Sequence, residues 1–139
     1  MKDSLKILDR IKKFELDEQR RLLKVELDKE ENLQELLKKL IEDFEIEKEF
    51  AKQNPMLCDF GIYVDQHIKK RRFLEDEILK VQQKIDQIRD VMADLFKEQK
   101  TFEIVGQNRQ KRKMKELADQ EQKLLDEIGT NTYIKNHQQ

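Results

Sequence analysis

Arg109, Lys111, Arg112, Lys113 and Lys115 place five cations within seven positions. Such a run attracts acidic protein surfaces or phosphates by Coulomb forces. Three readings stand side by side: a solvated helix face, a dock for an acidic protein surface, and a nucleic-acid contact. The last is the weakest, because no aromatic side chain is interleaved for base stacking and no DNA-binding motif surrounds the run.

The residue types that perform bond-breaking chemistry are sparse and scattered. His67, His137 and Cys58 have no metal-ligand spacing. No glycine-rich phosphate loop occurs, and a rod of helices cannot gather a Ser/His/Asp set. Paired carboxylates are plentiful, but on a charged helix they are solvated, and two helices offer no pocket that excludes water. His67, beside the basic run Lys69 to Arg72, reads as a solvated helix residue. The chain is therefore expected to be non-enzymatic and to hold no cofactor or metal.

The elements that position these residues follow from two apolar patterns separated by the single proline, Pro55. Ile11, Leu22, Leu33 and Phe44 recur every eleven residues, and Phe14, Val25 and Leu36 repeat that step beside them. After the break, Ile78, Val81, Ile85, Ile88, Met92 and Leu95 alternate steps of three and four. Each pattern predicts a long amphipathic helix whose stripe must be covered by another helix. The 139 residues are 42% charged and include three glycines, a composition that suits long helices better than a thick globular core.

The first helix is predicted over residues 4–52, capped by Asp3 or Ser4 and about 70 Å long. An eleven-residue repeat keeps such a helix straight or weakly right-handed. Gln53-Asn54-Pro55 ends it, because the residue before proline is pushed out of the helical region. A loop over 53–61 follows, with Asp59 available as a cap. The second helix is predicted over 62–128 and is about 100 Å long. A slip or frayed stretch is expected near Gly106, a stop at Gly129, and a polar mobile tail over 129–139.

A short connection favours antiparallel neighbours, so residues whose numbers add to about 114 should face each other. That register sets Glu42, Asp43, Glu45, Glu47 and Glu49 beside His67, Lys69, Lys70, Arg71 and Arg72. It also sets the 109–115 run beside the first residues of the chain. Phe44, Ile46, Phe50, Phe60 and Tyr63 crowd the loop end. They cannot all share one seam, so Ile46 or Phe50, together with Tyr63, is expected to face outward as a partner contact. The predicted fold is all-α, one long antiparallel two-helix coiled-coil hairpin.

Net charge is −1, so no global field draws the chain to nucleic acid or acidic lipid. One cysteine permits no internal disulfide, which fits a reducing compartment. The start of the chain is charged throughout (Lys2, Asp3, Lys6, Asp9, Arg10), and no run approaches the length of a membrane span. A soluble, cytoplasmic protein is expected, with no membrane insertion and no nucleic-acid partner.

Two stretches resemble the FliJ family, the small coiled-coil export component of flagellar and type III secretion systems, whose injectisome counterpart is YscO. The opening, Leu5-Lys6-Ile7-Leu8-Asp9-Arg10-Ile11-Lys12-Lys13 followed by Glu15, Asp17 and Glu18, is similar to the family's leucine-plus-basic start. Glu121-Gln122-Lys123-Leu124-Leu125-Asp126-Glu127-Ile128-Gly129 is similar to its closing segment. The resemblance implies an antiparallel two-helix coiled coil like the central stalk of rotary ATPases. Its terminal end would enter or cap a hexameric export ATPase ring and promote the ring's assembly and activity. It further implies contact with the cytoplasmic domain of the export gate and with export chaperones, at the periphery of a membrane-bound apparatus. Carried onto this chain, the ATPase-binding candidates are Leu5, Leu8, Arg109, Lys111, Arg112, Lys113, Lys115, Asp126 and Glu127. Ile46, Phe50 and Tyr63 are the gate or partner candidates, chosen on residue type. The alternative is a structural coiled-coil tether or dimerising scaffold without an ATPase partner.

Overall fold

A computed structural model describes residues 2–56 and 59–137; the side chains of residues 2 and 3, and with Leu57 and Cys58 part of the expected loop, lie outside the described residues. The fold is all-α. Helix α1 spans Lys2–Gln53 and helix α2 spans Phe60–His137. The chain divides into two compact units. One joins Met1–Lys12 to Phe96–Gln139; the other is Lys13–Leu95.

The Lys13–Leu95 unit is an antiparallel two-helix hairpin. Helix α1 ends at Gln53, where the Asn54 amide still donates to the Phe50 carbonyl at 3.0 Å and the Asn54 side-chain Nδ2 donates to the same oxygen at 3.3 Å. Pro55 then stops propagation, as expected. Helix α2 begins two residues earlier than predicted. Asp59 is its cap: the carboxylate Oδ1 accepts from the Ile62 amide at 3.5 Å.

The seam on α2 matches the sequence pattern. Ile78, Val81, Ile85 and Leu95 are buried, and Ile88 and Met92 are half-buried. The seam on α1 does not. Its covered positions alternate by three and four through Leu16, Gln19, Leu23, Glu26, Glu30, Leu33, Leu37, Leu40 and Phe44. Leu33 and Phe44 belong to both patterns and are half-buried, but Phe14, Leu22, Val25 and Leu36 are half or more exposed. The reason is geometric. A heptad helix such as α2 keeps its seam against a partner only where that partner also presents a 3.5-residue repeat. Leu16, which no eleven-residue stripe includes, becomes the best-covered of the described residues, 2% exposed.

Cross-helix pairs fix the register. In the hairpin unit, Gln82 Nε2 donates to Glu30 Oε1 at 3.2 Å, and Lys84 Nζ lies 3.9 Å from Glu26 Oε1. In the other unit, Gln99 Nε2 donates to Asp9 Oδ1 at 3.3 Å, and Lys12 pairs with Glu98 at 2.6 Å. The residue numbers in these pairs add to between 108 and 112, about one helical turn from the expected 114. The charge blocks that a register of 114 would set side by side do not pair. Among the described residues no ion pair joins Glu42–Glu49 to His67–Arg72; Arg71 instead bonds Glu75 and Lys52 bonds Glu49, each within its own helix. Exposed pairs contribute a few tenths of a kcal/mol, too little to override the apolar seam.

In the Met1–Lys12 and Phe96–Gln139 unit, α1 starts at Lys2, so Ser4 lies inside the helix and does not cap it. Helix α2 passes through Gly106 without a break and continues past the expected stop at Gly129 to His137. A glycine stop needs a left-handed φ, and no described glycine has one. Local contacts hold the last turns: the Thr132 hydroxyl donates to the Ile128 carbonyl at 2.8 Å, and the Tyr133 and His137 rings stack 4.0 Å apart.

Candidate protein-docking surfaces

No group of three or more His, Cys, Asp or Glu is placed to hold a metal ion among the described residues. No helix among them is long and apolar enough to cross a membrane. What the fold does build is a set of exposed faces, one of them much longer than the sequence suggested.

That face is the end of α2. The Met1–Lys12 segment is all that α1 contributes to this unit, and every residue from Gln107 to His137 is exposed. At the observed register the 109–115 run has reached the first residues of α1 or passed beyond them. Its five cations make no ion pair with another described residue. From within the run onwards, Met114, Leu117, Leu124, Leu125 and Ile128 recur at spacings that gather them on one helical face, and each is about half or more exposed. Asp126 and Glu127 are exposed alongside, with Asp126 Oδ1 accepting from Gln122 Nε2 at 3.1 Å. Of the α1 candidates in this unit, Leu8 is exposed and Leu5 half-buried.

The loop end of the hairpin unit divides the aromatic residues into two groups. Phe44, Phe60 and Tyr63 stack on one another with centroids 5.9 to 6.1 Å apart, and the His67 ring lies over Phe44 at 4.1 Å. Tyr63 is thereby half-buried in the cluster and does not face outward with Ile46 and Phe50, which are exposed. Its hydroxyl is held above the ordinary phenol range, chiefly by desolvation, then by the carboxylates of Glu47 and Asp43. His67 is 7% exposed, so the expectation of a solvated histidine is overturned. Its Nδ1 is buried without a hydrogen-bond partner. Extending the α2 heptad backwards from Ile78 through Leu74 reaches position 67, which was the available signal; the polar residue type concealed it.

Two further features went unread. Glu26 lies in the hairpin seam at 7% exposure, with Oε1 3.2 Å from Lys29 Nζ and Oε2 buried without a partner. Between the helices nearer the loop, Leu36, Leu40, Phe73 and Leu74 floor an apolar groove edged by Lys39, Asp43, Lys69 and Lys70.

No family model, curated protein or solved structure matches the chain.

Proposed function

We propose that this chain is a non-enzymatic stalk of a flagellar or type III protein export apparatus that binds and activates the export ATPase ring and contacts the export gate or export chaperones. The observation that supports it is the uncovered end of α2. A helix with an apolar face and no covering partner is a docking element by construction. This one carries the basic run, and its Asp126 and Glu127 lie in one of the two stretches that resemble the FliJ family. The five cations of the run have no charge partner among the described residues, so they are available to an acidic ring surface. Ile46 and Phe50, exposed near the loop of the hairpin unit, are the surface for the gate.

Adding the purified chain to a hexameric export ATPase should raise its turnover and the population of rings. No change in either rejects the proposal. Reversing Arg109, Arg112 and Lys113 to Glu should weaken ring binding most at low salt, where screening is least. Unchanged binding at low salt would show that another face docks.

A second reading, a structural coiled-coil tether without an ATPase partner, draws on the exposed Phe14, Val25 and Leu36. It requires a partner helix along α1 and ATPase turnover indifferent to the chain.

A further inference from the structure

We propose that the apolar groove on one side of the Lys13–Leu95 hairpin receives an acidic amphipathic helix of a partner protein. The groove lies within that unit alone. Leu36, Lys39, Leu40 and Asp43 fall at steps of three and one to four along α1, which places them on one helical face. Lys69, Lys70, Phe73 and Leu74 supply the facing wall from α2. Leu40 and Leu74 are half-buried on the floor, whereas Leu36 and Phe73 are 54% and 63% exposed. The solvated apolar surface continues along α1. Leu22 and Val25 stand two heptads before Leu36 and Lys39, at the same two places in the repeat, and are half-exposed. From Leu22 to Asp43 this edge is about 32 Å long, room for a partner helix of about 21 residues.

Charge specifies what that helix carries. Lys39, Lys69 and Lys70 are exposed at the groove and make no ion pair among the described residues. Asp43 is the single carboxylate among the lining residues. Farther from the loop, Lys29, Lys80 and Lys84 edge the same side of the hairpin, but they already pair with Glu26 and Glu77. Unpaired cations around an apolar floor match a helix whose apolar stripe is bordered by Asp or Glu. The lysine stems cover the edges of that stripe while their ammonium groups reach the carboxylates.

Other occupants fit less well. A second copy laid on this face, with a two-fold axis through the groove, opposes its lysines to themselves. A bilayer meets the raised Leu36 and Phe73 but does not descend to Leu40 and Leu74 between the helices. A single acyl chain would stay largely in water in an open trough, where small-ligand sites enclose what they bind. The docking does not rest on the stalk reading, whose basic run lies in the other unit. Relative to the tether reading, it adds the α2 wall and fixes the partner's charge.

The test uses the full chain and fluorescein-labelled peptides of three heptads, with Leu at the first and fourth positions of each heptad and Glu at the fifth and seventh. A twin peptide carries Lys in place of Glu. Fluorescence anisotropy at low salt should show the Glu peptide binding about tenfold or more tightly than its twin, a preference that shrinks in high salt. A Lys39→Glu, Lys69→Glu, Lys70→Glu variant should reverse the preference, which a misfolded variant could not do. Leu36→Ser with Phe73→Ser should abolish binding of the Glu peptide at unchanged helical content, read by circular dichroism. Reversing Arg109, Arg112 and Lys113 to Glu should leave that binding intact, so failure here and failure of the stalk reading are distinguishable. Equal binding of the two peptides, no binding of either, or a loss produced by the 109–113 reversal would each overturn the proposal. So would phosphatidylglycerol vesicles that take up the chain through the same lysines while the peptide does not bind, or self-association that Leu36→Ser with Phe73→Ser removes.

Discussion

The imidazole of His67 lies face to face with the ring of Phe44, centroids 4.1 Å apart and planes 23° from parallel, across the two helices of the hairpin unit. The stack joins one helix to the other near the loop, where Phe60 and Tyr63 complete the cluster. A buried polar atom without a partner costs about 1–3 kcal/mol. His67 Nδ1 is such an atom, so the stack is held by ring contact and apolar burial against that cost. Replacing His67 by Phe keeps the ring and removes the unpartnered nitrogen. We expect His67→Phe to raise the urea midpoint and Phe44→Ala to lower stability by about 3–5 kcal/mol. Equal losses for both would mean that the imidazole is bonded in a way the geometry does not provide.

Tyr63 gives the loop end a dependence on alkaline pH. Its hydroxyl titrates above the usual phenol value in the folded chain because burial and the carboxylates of Glu47 and Asp43 penalise the phenolate. The folded state therefore holds this proton more tightly than the unfolded state does. The stabilisation is complete below about pH 10, where tyrosine in both states is neutral, and is lost as pH rises through the higher folded value. Tyr63→Phe should flatten that part of the stability curve. Lysines titrate in the same range, so the measurement is the difference between wild type and variant in chemical melts from pH 8 to 11, taken as roughly the phenol window. A constant difference across that range would remove Tyr63 as the source.

The break at Pro55, the Asp59 cap and the α2 seam from Ile78 to Leu95 were legible in the sequence because each rests on local rules or on an unbroken apolar repeat. The α1 seam was concealed by its own residues. Asp9, Lys12, Gln19, Glu26 and Glu30 occupy covered or half-covered positions, so counting apolar side chains selected the eleven-residue stripe that α2 leaves largely exposed. His67 was misread for the same reason, since residue type outweighed its place on the extended heptad. The basic run was recognised as a candidate dock, but its setting was not. Its isolation follows from the register, which pairs Gln99 with Asp9 and Glu98 with Lys12 and so carries the run to the first residues of α1 or past them.

Glu26 shows what a polar seam residue contributes. Its carboxylate reaches Lys29 and Lys84 through one oxygen and leaves the other buried and unpartnered. Removing such a charge in favour of a well-packed apolar side chain is often stabilising, by about 1–4 kcal/mol. We expect Glu26→Leu to raise the urea midpoint and Lys84→Met, which strips one of the two cations from the carboxylate, to lower it. The cost of Glu26→Leu should appear in register. Disulfide trapping between cysteines placed at 30 and 82 should be efficient in wild type and less selective in the variant. A destabilised Glu26→Leu would show that the ion pair outweighs its desolvation.

The two ends of α2 should respond oppositely to loss of apolar side chains. Ile78 and Ile85, 6% and 3% exposed, are packed between the helices of the hairpin unit, and truncating either to Ala should cost about 2–5 kcal/mol. Leu124 and Ile128, 58% and 54% exposed, touch no covering helix, and changing both to Gln should move the stability of dilute, monomeric protein by no more than about 0.5 kcal/mol. The same double substitution should weaken whatever docks on that face, so its effect should grow with protein concentration or with added partner. Urea melts at two concentrations about a hundredfold apart make the comparison, because only an intermolecular contact carries a concentration dependence. A large loss in the dilute melt would mean that residues 107–137 are already covered within one chain, and the docking surface would have to be sought on the exposed stripe of α1 instead.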